Sequence, residues 1–180
     1  DKSFLSSQKY VLTFTGALTD SSIFSIGGFH DQRKFLINDL KSGHIKGLAL
    51  SNSYMSDSDV LTKFEYEYSK YNAKASYETY QSNSFGLNIT SALGRGWSFK
   101  ASLSHAKKSH FADFPIFGKK KEEINSANIE FSKTSSDKCL FASYRVAKND
   151  NRSTIDIYSR SNLQVTADFS YVCLINDPGK

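Results

Sequence analysis

The stretch Thr154-Ile155-Asp156-Ile157-Tyr158-Ser159-Arg160-Ser161-Asn162-Leu163-Gln164-Val165-Thr166-Ala167-Asp168-Phe169-Ser170-Tyr171-Val172-Cys173 changes chemistry at nearly every step. Odd positions carry Ile155, Ile157, Ser159, Ser161, Leu163, Val165, Ala167, Phe169, Tyr171 and Cys173. Even positions carry Asp156, Tyr158, Arg160, Asn162, Gln164, Thr166, Asp168 and Ser170. Side chains of a strand point to opposite faces with a period of two. The stretch therefore predicts a strand with one apolar, aromatic face and one polar, charged face.

The same pattern recurs upstream. Residues 60–70 set Phe64, Tyr66 and Tyr68 against Lys63, Glu65 and Glu67, and 71–80 set Tyr71, Ala73 and Tyr77 against Lys74 and Glu78. Residues 84–93 set Leu87 and Ile89 against Asn88 and Thr90. After Gly94-Arg95-Gly96, a turn suited to positive φ, 97–105 set Trp97, Phe99 and Leu103 against Ser98, Lys100 and Ser102. Residues 125–132 set Ile129 and Phe131 against Glu130, and 138–147 set Tyr144 and Val146 against Arg145, with Phe141 out of phase. Earlier strands are expected at 8–18, 22–29, 33–40 and 44–54, with His30-Asp31-Gln32 as a turn. The total is about ten strands, and helical periodicity is scarce. Connections are expected at 41–43, 56–59, 106–123 and 148–153, with tighter turns between them.

Composition bounds the reading. The 180 residues suffice for one domain, taken as a single β-barrel domain over 1–180 or the C-terminal part of one. Phe (14) and Tyr (10) carry much of the apolar content, as they do in strands and in interfacial girdles. The net charge of +5 is dispersed, and its one run, Lys119-Lys120-Lys121, is followed by Glu122 and Glu123, which reads as a solvated loop. No nucleic-acid signature accompanies it, so no nucleic-acid partner is expected. Cys139 and Cys173 are too few for a disulfide framework and lack metal-site spacing. No run approaches the roughly 20 apolar residues of a membrane helix, a result that leaves strand-built membrane proteins open. No signal peptide opens the chain, and Asp1-Lys2-Ser3 reads as a processed or truncated end.

Enzyme signatures are sparse, and no enzyme is expected. The histidines His30, His44, His105 and His110 form no paired metal motif, and His105 and His110, which bracket Lys107-Lys108, read as rim or loop residues. There is no nucleophile elbow and no phosphate loop. Asp57-Ser58-Asp59 offers too few oxygens for a hard cation. No catalytic residue, cofactor or metal is expected.

The fold expected is all-β: an antiparallel up-and-down transmembrane β-barrel. Its lumen-lining candidates are Lys63, Glu65, Glu67, Lys74, Lys100, Glu130, Arg145 and Asp168. Its lipid-facing candidates are Leu87, Ile89, Trp97, Phe99, Ile129, Phe131, Val165, Phe169 and Tyr171.

Several motifs carry a likeness. Gly94-Arg95-Gly96-Trp97-Ser98-Phe99-Lys100 resembles a barrel hairpin. Asp113-Phe114-Pro115-Ile116-Phe117-Gly118-Lys119-Lys120-Lys121 resembles a loop with an aromatic-Gly pair before a basic run. Residues 141–161, with Asn149-Asp150-Asn151-Arg152-Ser153, and the closing run 163–171 resemble the last two strands. From residue 85 onward this order is similar to the C-terminal barrel of the surface lipoprotein assembly modifier family, Gram-negative outer-membrane translocators often carrying N-terminal tetratricopeptide repeats. The resemblance implies a bacterial outer-membrane location, membrane lipid and the barrel assembly machinery as partners, and a client lipoprotein or secreted haem-binding carrier. Family barrels have about fourteen strands and often end on an aromatic residue, whereas here 172–180 follow Tyr171. A pore without a client and a soluble all-β binding module are the other expectations.

Overall fold

The computed structural model describes residues 5–134 and 140–171. Its strands are β1 (Leu5–Thr19), β2 (Ser22–Phe35), β3 (Gly43–Met55), β4 (Val60–Ala73), β5 (Tyr80–Gly94), β6 (Trp97–Phe114), β7 (Gly118–Thr134), β8 (Leu140–Ser153) and β9 (Arg160–Tyr171). They form one nine-stranded sheet in chain order, each strand antiparallel to the next. Within the described residues β1 and β9 are its two edges, and the sheet is not closed into a barrel.

Alternation decides the register. One lateral row of consecutive partners runs Phe24, Asn52, Phe64, Leu87, Leu103, Ala127, Lys148, Leu163. The next row on that face runs Tyr54, Thr62, Ile89, Ala101, Ile129, Val146, Val165. The opposite face carries Ser51, Glu65, Gly86, Ser104, Ser126, Asn149, Asn162 in a row. A slip of one residue at any hairpin would mix the two sets.

The two rims are built differently. On one, the β1/β2 and β5/β6 hairpins turn in two residues. Gly94, Arg95 and Gly96 there all have positive φ (79°, 50° and 79°). A Cβ on Gly96 would lie 2.0 Å from the Thr134 carbonyl oxygen, and the Thr134 N–H donates to the Gly96 carbonyl. Only glycine admits both the dihedral and the approach of β7.

The other rim repeats one device three times. The 3-10 turns Asp39–Lys41, Ser76–Glu78 and Asp156–Tyr158 join β2 to β3, β4 to β5 and β8 to β9. In each, the hydroxyl following the turn (Ser42, Thr79, Ser159) accepts the N–H of the last residue of the strand before it (Phe35, Ala73, Ser153), at 2.9, 3.1 and 2.9 Å. The first two turns are bonded to each other, and the second and third are each bonded to the β6/β7 hairpin that stands between them. Lys74 N–H donates to Ser42 O, Phe111 N–H to Thr79 O, and Thr154 N–H to Lys121 O. Ser42, Ala75 and Ile155 are buried beneath these turns.

The strand count corrects the sequence reading. Residues 22–35 form one strand, because His30, Asp31 and Gln32 pair with Lys46, Ile45 and His44 instead of turning. Residues 74–79 turn, so no strand spans 71–80. The stretch read as a long loop at 106–123 is a hairpin, with Ala106 opposite Ile124 and Phe114 opposite Gly118. The last strand begins at Arg160, since Ile155 and Tyr158 belong to a turn. Both cysteines lie outside the described residues.

Gly96→Ala is expected to lower stability by about 1–2 kcal/mol from the left-handed dihedral alone, and by more once β7 shifts. Gly16→Ala, where the added methyl meets open space, should move the urea midpoint by less than about 0.5 kcal/mol equivalent.

Candidate functional site

The distribution of burial is the unusual feature. Large apolar side chains on the face of Phe64 stand in the open: Phe64 is 55% exposed, Leu103 56%, Val165 57% and Phe169 78%. The buried strand side chains Asp31, Ser69, Tyr71, Ser82, Glu130 and Ser132 all belong to the opposite, polar face. The sheet has its crowded side where its charges are.

Those charges are mostly paired. Glu130, in register between Lys100 and Arg145, has Arg145 Nη2 at 2.7 Å from its Oε2 and Lys100 Nζ at 3.8 Å from its Oε1. Lys63 Nζ lies 2.6 Å from Glu65 Oε1, and Asn88 Nδ2 donates to Glu65 Oε2 at 2.8 Å. Asp168 accepts from the Ser143 hydroxyl at 3.4 Å. Asp31 is held by Arg33 Nε at 2.7 Å and by the Ser7 hydroxyl. Cross-strand opposite charges of this kind support a sheet by fractions of a kcal/mol each.

Seven of the eight sequence candidates for the polar side therefore share a face: Lys63, Glu65, Glu67, Lys100, Glu130, Arg145 and Asp168. Lys74 does not. It sits in the turn after β4, exposed, and its ammonium hydrogen-bonds Asp39 and holds that carboxyl below the usual carboxylate range. The apolar candidates Leu87, Ile89, Trp97, Phe99, Ile129, Phe131, Val165 and Phe169 fall together on the other face by register, and Tyr171 follows them opposite Leu140. Phe99 and Phe131 are partners with ring centroids 5.0 Å apart.

At the capped rim, residues read as loop assemble into a compact cluster on the polar side. His110, near the end of β6, donates from Nδ1 to the Tyr77 carbonyl at 2.8 Å, and its ring packs on Tyr80 and Phe114. Its Nε2 faces Glu122 Oε2 at 3.7 Å, a long contact that is attractive when Nε2 also carries a proton. Lys120 Nζ lies 3.3 Å from Glu122 Oε1 and 3.7 Å from the centre of the Tyr158 ring. Tyr71 continues the aromatic chain to Tyr80 and donates its hydroxyl proton to the Lys41 carbonyl. Lys120 and Glu122, expected in a solvated run, are only 9% and 12% exposed. Their equal parity was the available signal: both face the wall that carries Lys108 and His110.

No group of His, Cys, Asp and Glu among the described residues could hold a metal ion. Among the described residues no helix is long and apolar enough to cross a membrane, which leaves strands unaddressed. In comparisons with known families, curated proteins and solved structures, nothing matches this chain.

Glu122 lies above the apolar rows, between Lys121 and Glu123. His110 beside it, opposed by burial and reinforced by Lys120 and Asn151, brings its carboxyl from an ordinary 4.5 to about 2. A carboxylate whose folded pKa is depressed stabilises the fold fully above the unfolded value, and that stability is lost as pH falls through the folded value. The wild-type denaturant midpoint should therefore fall between about pH 5 and 2. Glu122→Gln should flatten that slope and, at pH 7, cost roughly 1–3 kcal/mol by stranding Lys120.

Proposed function

We propose that the sheet is the wall of a β-barrel in the bacterial outer membrane, and that the barrel moves lipoproteins or haem-binding carrier proteins to the cell surface. One observation carries the membrane part: side chains as large as Phe64, Leu103 and Phe169 are exposed on one face while Glu130 and Asp31 are buried on the reverse. Water tolerates only limited contiguous apolar surface. Hydrocarbon accepts such a face, and a water-filled lumen accepts the other. Every interior strand satisfies its backbone groups sideways, as a spanning sheet must. The soluble binding module fits less well, since no second layer covers the apolar rows among the described residues.

The transport part rests on the likeness of the 94–100, 113–121 and 163–171 motifs to the surface lipoprotein assembly modifier family. The mechanism is physical. Lys100, Glu130, Arg145 and Asp168 keep a client segment solvated, and β9, an edge of the sheet among the described residues, offers backbone partners to a client strand. No residue acts covalently.

Val165→Arg or Leu87→Arg is expected to cost roughly 2–4 kcal/mol in a bilayer and to abolish the folded, fast-migrating form on unheated gels. Asp168→Asn should fold as the parent does. Equal tolerance of both classes of change would overturn the membrane reading. A lipoprotein surface-display assay then separates transporter from plain pore. Display lost on removal of this protein supports transport, whereas planar-bilayer conductance with unchanged display supports the pore.

A further inference from the structure

The apolar face ends, toward the capped rim, in a row with no acid. Tyr10, His30, Lys46, Lys70, Gln81, Ser109 and Lys121 are consecutive partners across β1 to β7. Lys46 and Lys70 stand directly opposite each other, both exposed. A like-charged pair in that position is destabilising on its own. Neither ammonium has a carboxylate partner among the described ion pairs, although the nearby Lys107 is matched to Glu123 at 3.2 Å. Lys70 instead lies over the Phe111 ring at 5.1 Å. The row beyond adds further nitrogen: the His44 ring is 5.7 Å from His30, and Asn72 Nδ2 is 3.2 Å from His44 Nε2. The patch is built to receive an anion.

What lies below it narrows the anion. On the same face a groove of about 530 Å³ is lined by Tyr10, Leu12, Phe14, Ile26, His30 and Leu48, among others, and so opens directly from the patch at His30. His30 and Ile26 are four residues apart on β2, roughly 13 Å at about 3.3 Å per residue. The ligand therefore has a charged head and an apolar tail of more than ten ångströms.

We propose that His30, Lys46 and Lys70 bind the phosphate headgroup of an anionic lipid whose acyl chains lie along this groove. The proposal rests on the membrane reading and adds to it a specific lipid site at one height on the wall. The bound phosphate relieves the Lys46 and Lys70 repulsion, so lipid and strand pairing support one another.

The test uses the full chain folded into phosphocholine vesicles with and without phosphatidylglycerol, then extracted in neutral detergent and weighed by native mass spectrometry. The parent is expected to retain phosphatidylglycerol. The double variant Lys46→Gln with Lys70→Gln should lose that retention at least tenfold while still folding, and Lys70→Arg should keep it. Lys133→Gln, at the opposite rim of the same face over Trp97, should also keep it. Equal loss in Lys133→Gln, unchanged retention in the double variant, or displacement of the lipid by inorganic phosphate overturns the site while leaving the barrel standing. Failure to insert into either vesicle overturns both.

Discussion

Register is the constraint on which everything else depends. Eight antiparallel pairings must each place like with like, and only then do Phe24, Phe64, Leu87 and Leu103 gather in one row while Ser51, Glu65, Ser104 and Ser126 gather in another. A soluble sheet uses register to hide its apolar side. Here the same precision leaves that side open and crowds the polar side, where Glu130 is bracketed by Lys100 and Arg145. The energy of the arrangement therefore resides in backbone pairing and cross-strand contacts. A packed core is confined to the capped rim, around Ile45, Tyr71, Ala75, Phe114 and Ile155.

That rim fixes the register mechanically. A hydroxyl after each 3-10 turn holds the end of the strand before it, and the turns are bonded to their neighbours along the rim. Slipping one hairpin by a residue would break its own cap and the link to the next. Lys120 and Glu122 add a charged clasp between the β6/β7 hairpin and the turn bearing Tyr158.

Legibility followed the apolar band. Where one face is apolar and the other polar, alternation sorted residues as the register does: Lys63, Glu65, Lys100, Glu130 and Arg145 share one face, Ile89, Phe99, Ile129 and Val165 the other. Beyond the band both faces of a strand are polar, so alternation loses its contrast. Lys107 and Lys108 belong to opposite faces yet look alike, and 106–114 read as loop although Lys107 is paired with Glu123 across β7. The turn at 74–79 deceived in the other way. Ala73, Ala75 and Tyr77 continue a period of two in the sequence, but Ala75 is buried beneath a 3-10 turn that Thr79 caps. Only the hydroxyl shared with Ser42 and Ser159 distinguishes it, and that signal requires comparing three turns at once.

The edges limit how the proposed wall can close. Nine alternating strands leave β1 and β9 running in the same direction. Joining them directly makes a parallel seam, with slanted bonds slightly weaker per residue than those of the eight antiparallel pairs. An antiparallel seam at both edges requires an odd number of additional strands. Two copies of the chain do not meet that requirement while sharing an orientation in a membrane, because β9 of one would again run parallel to β1 of the other. An antiparallel β1-to-β1 contact would turn one copy upside down and put its capped rim in the wrong leaflet. A strand that closed the proposed wall by antiparallel pairing would run opposite to β1 and carry its apolar residues on the side of Phe14 and Leu12.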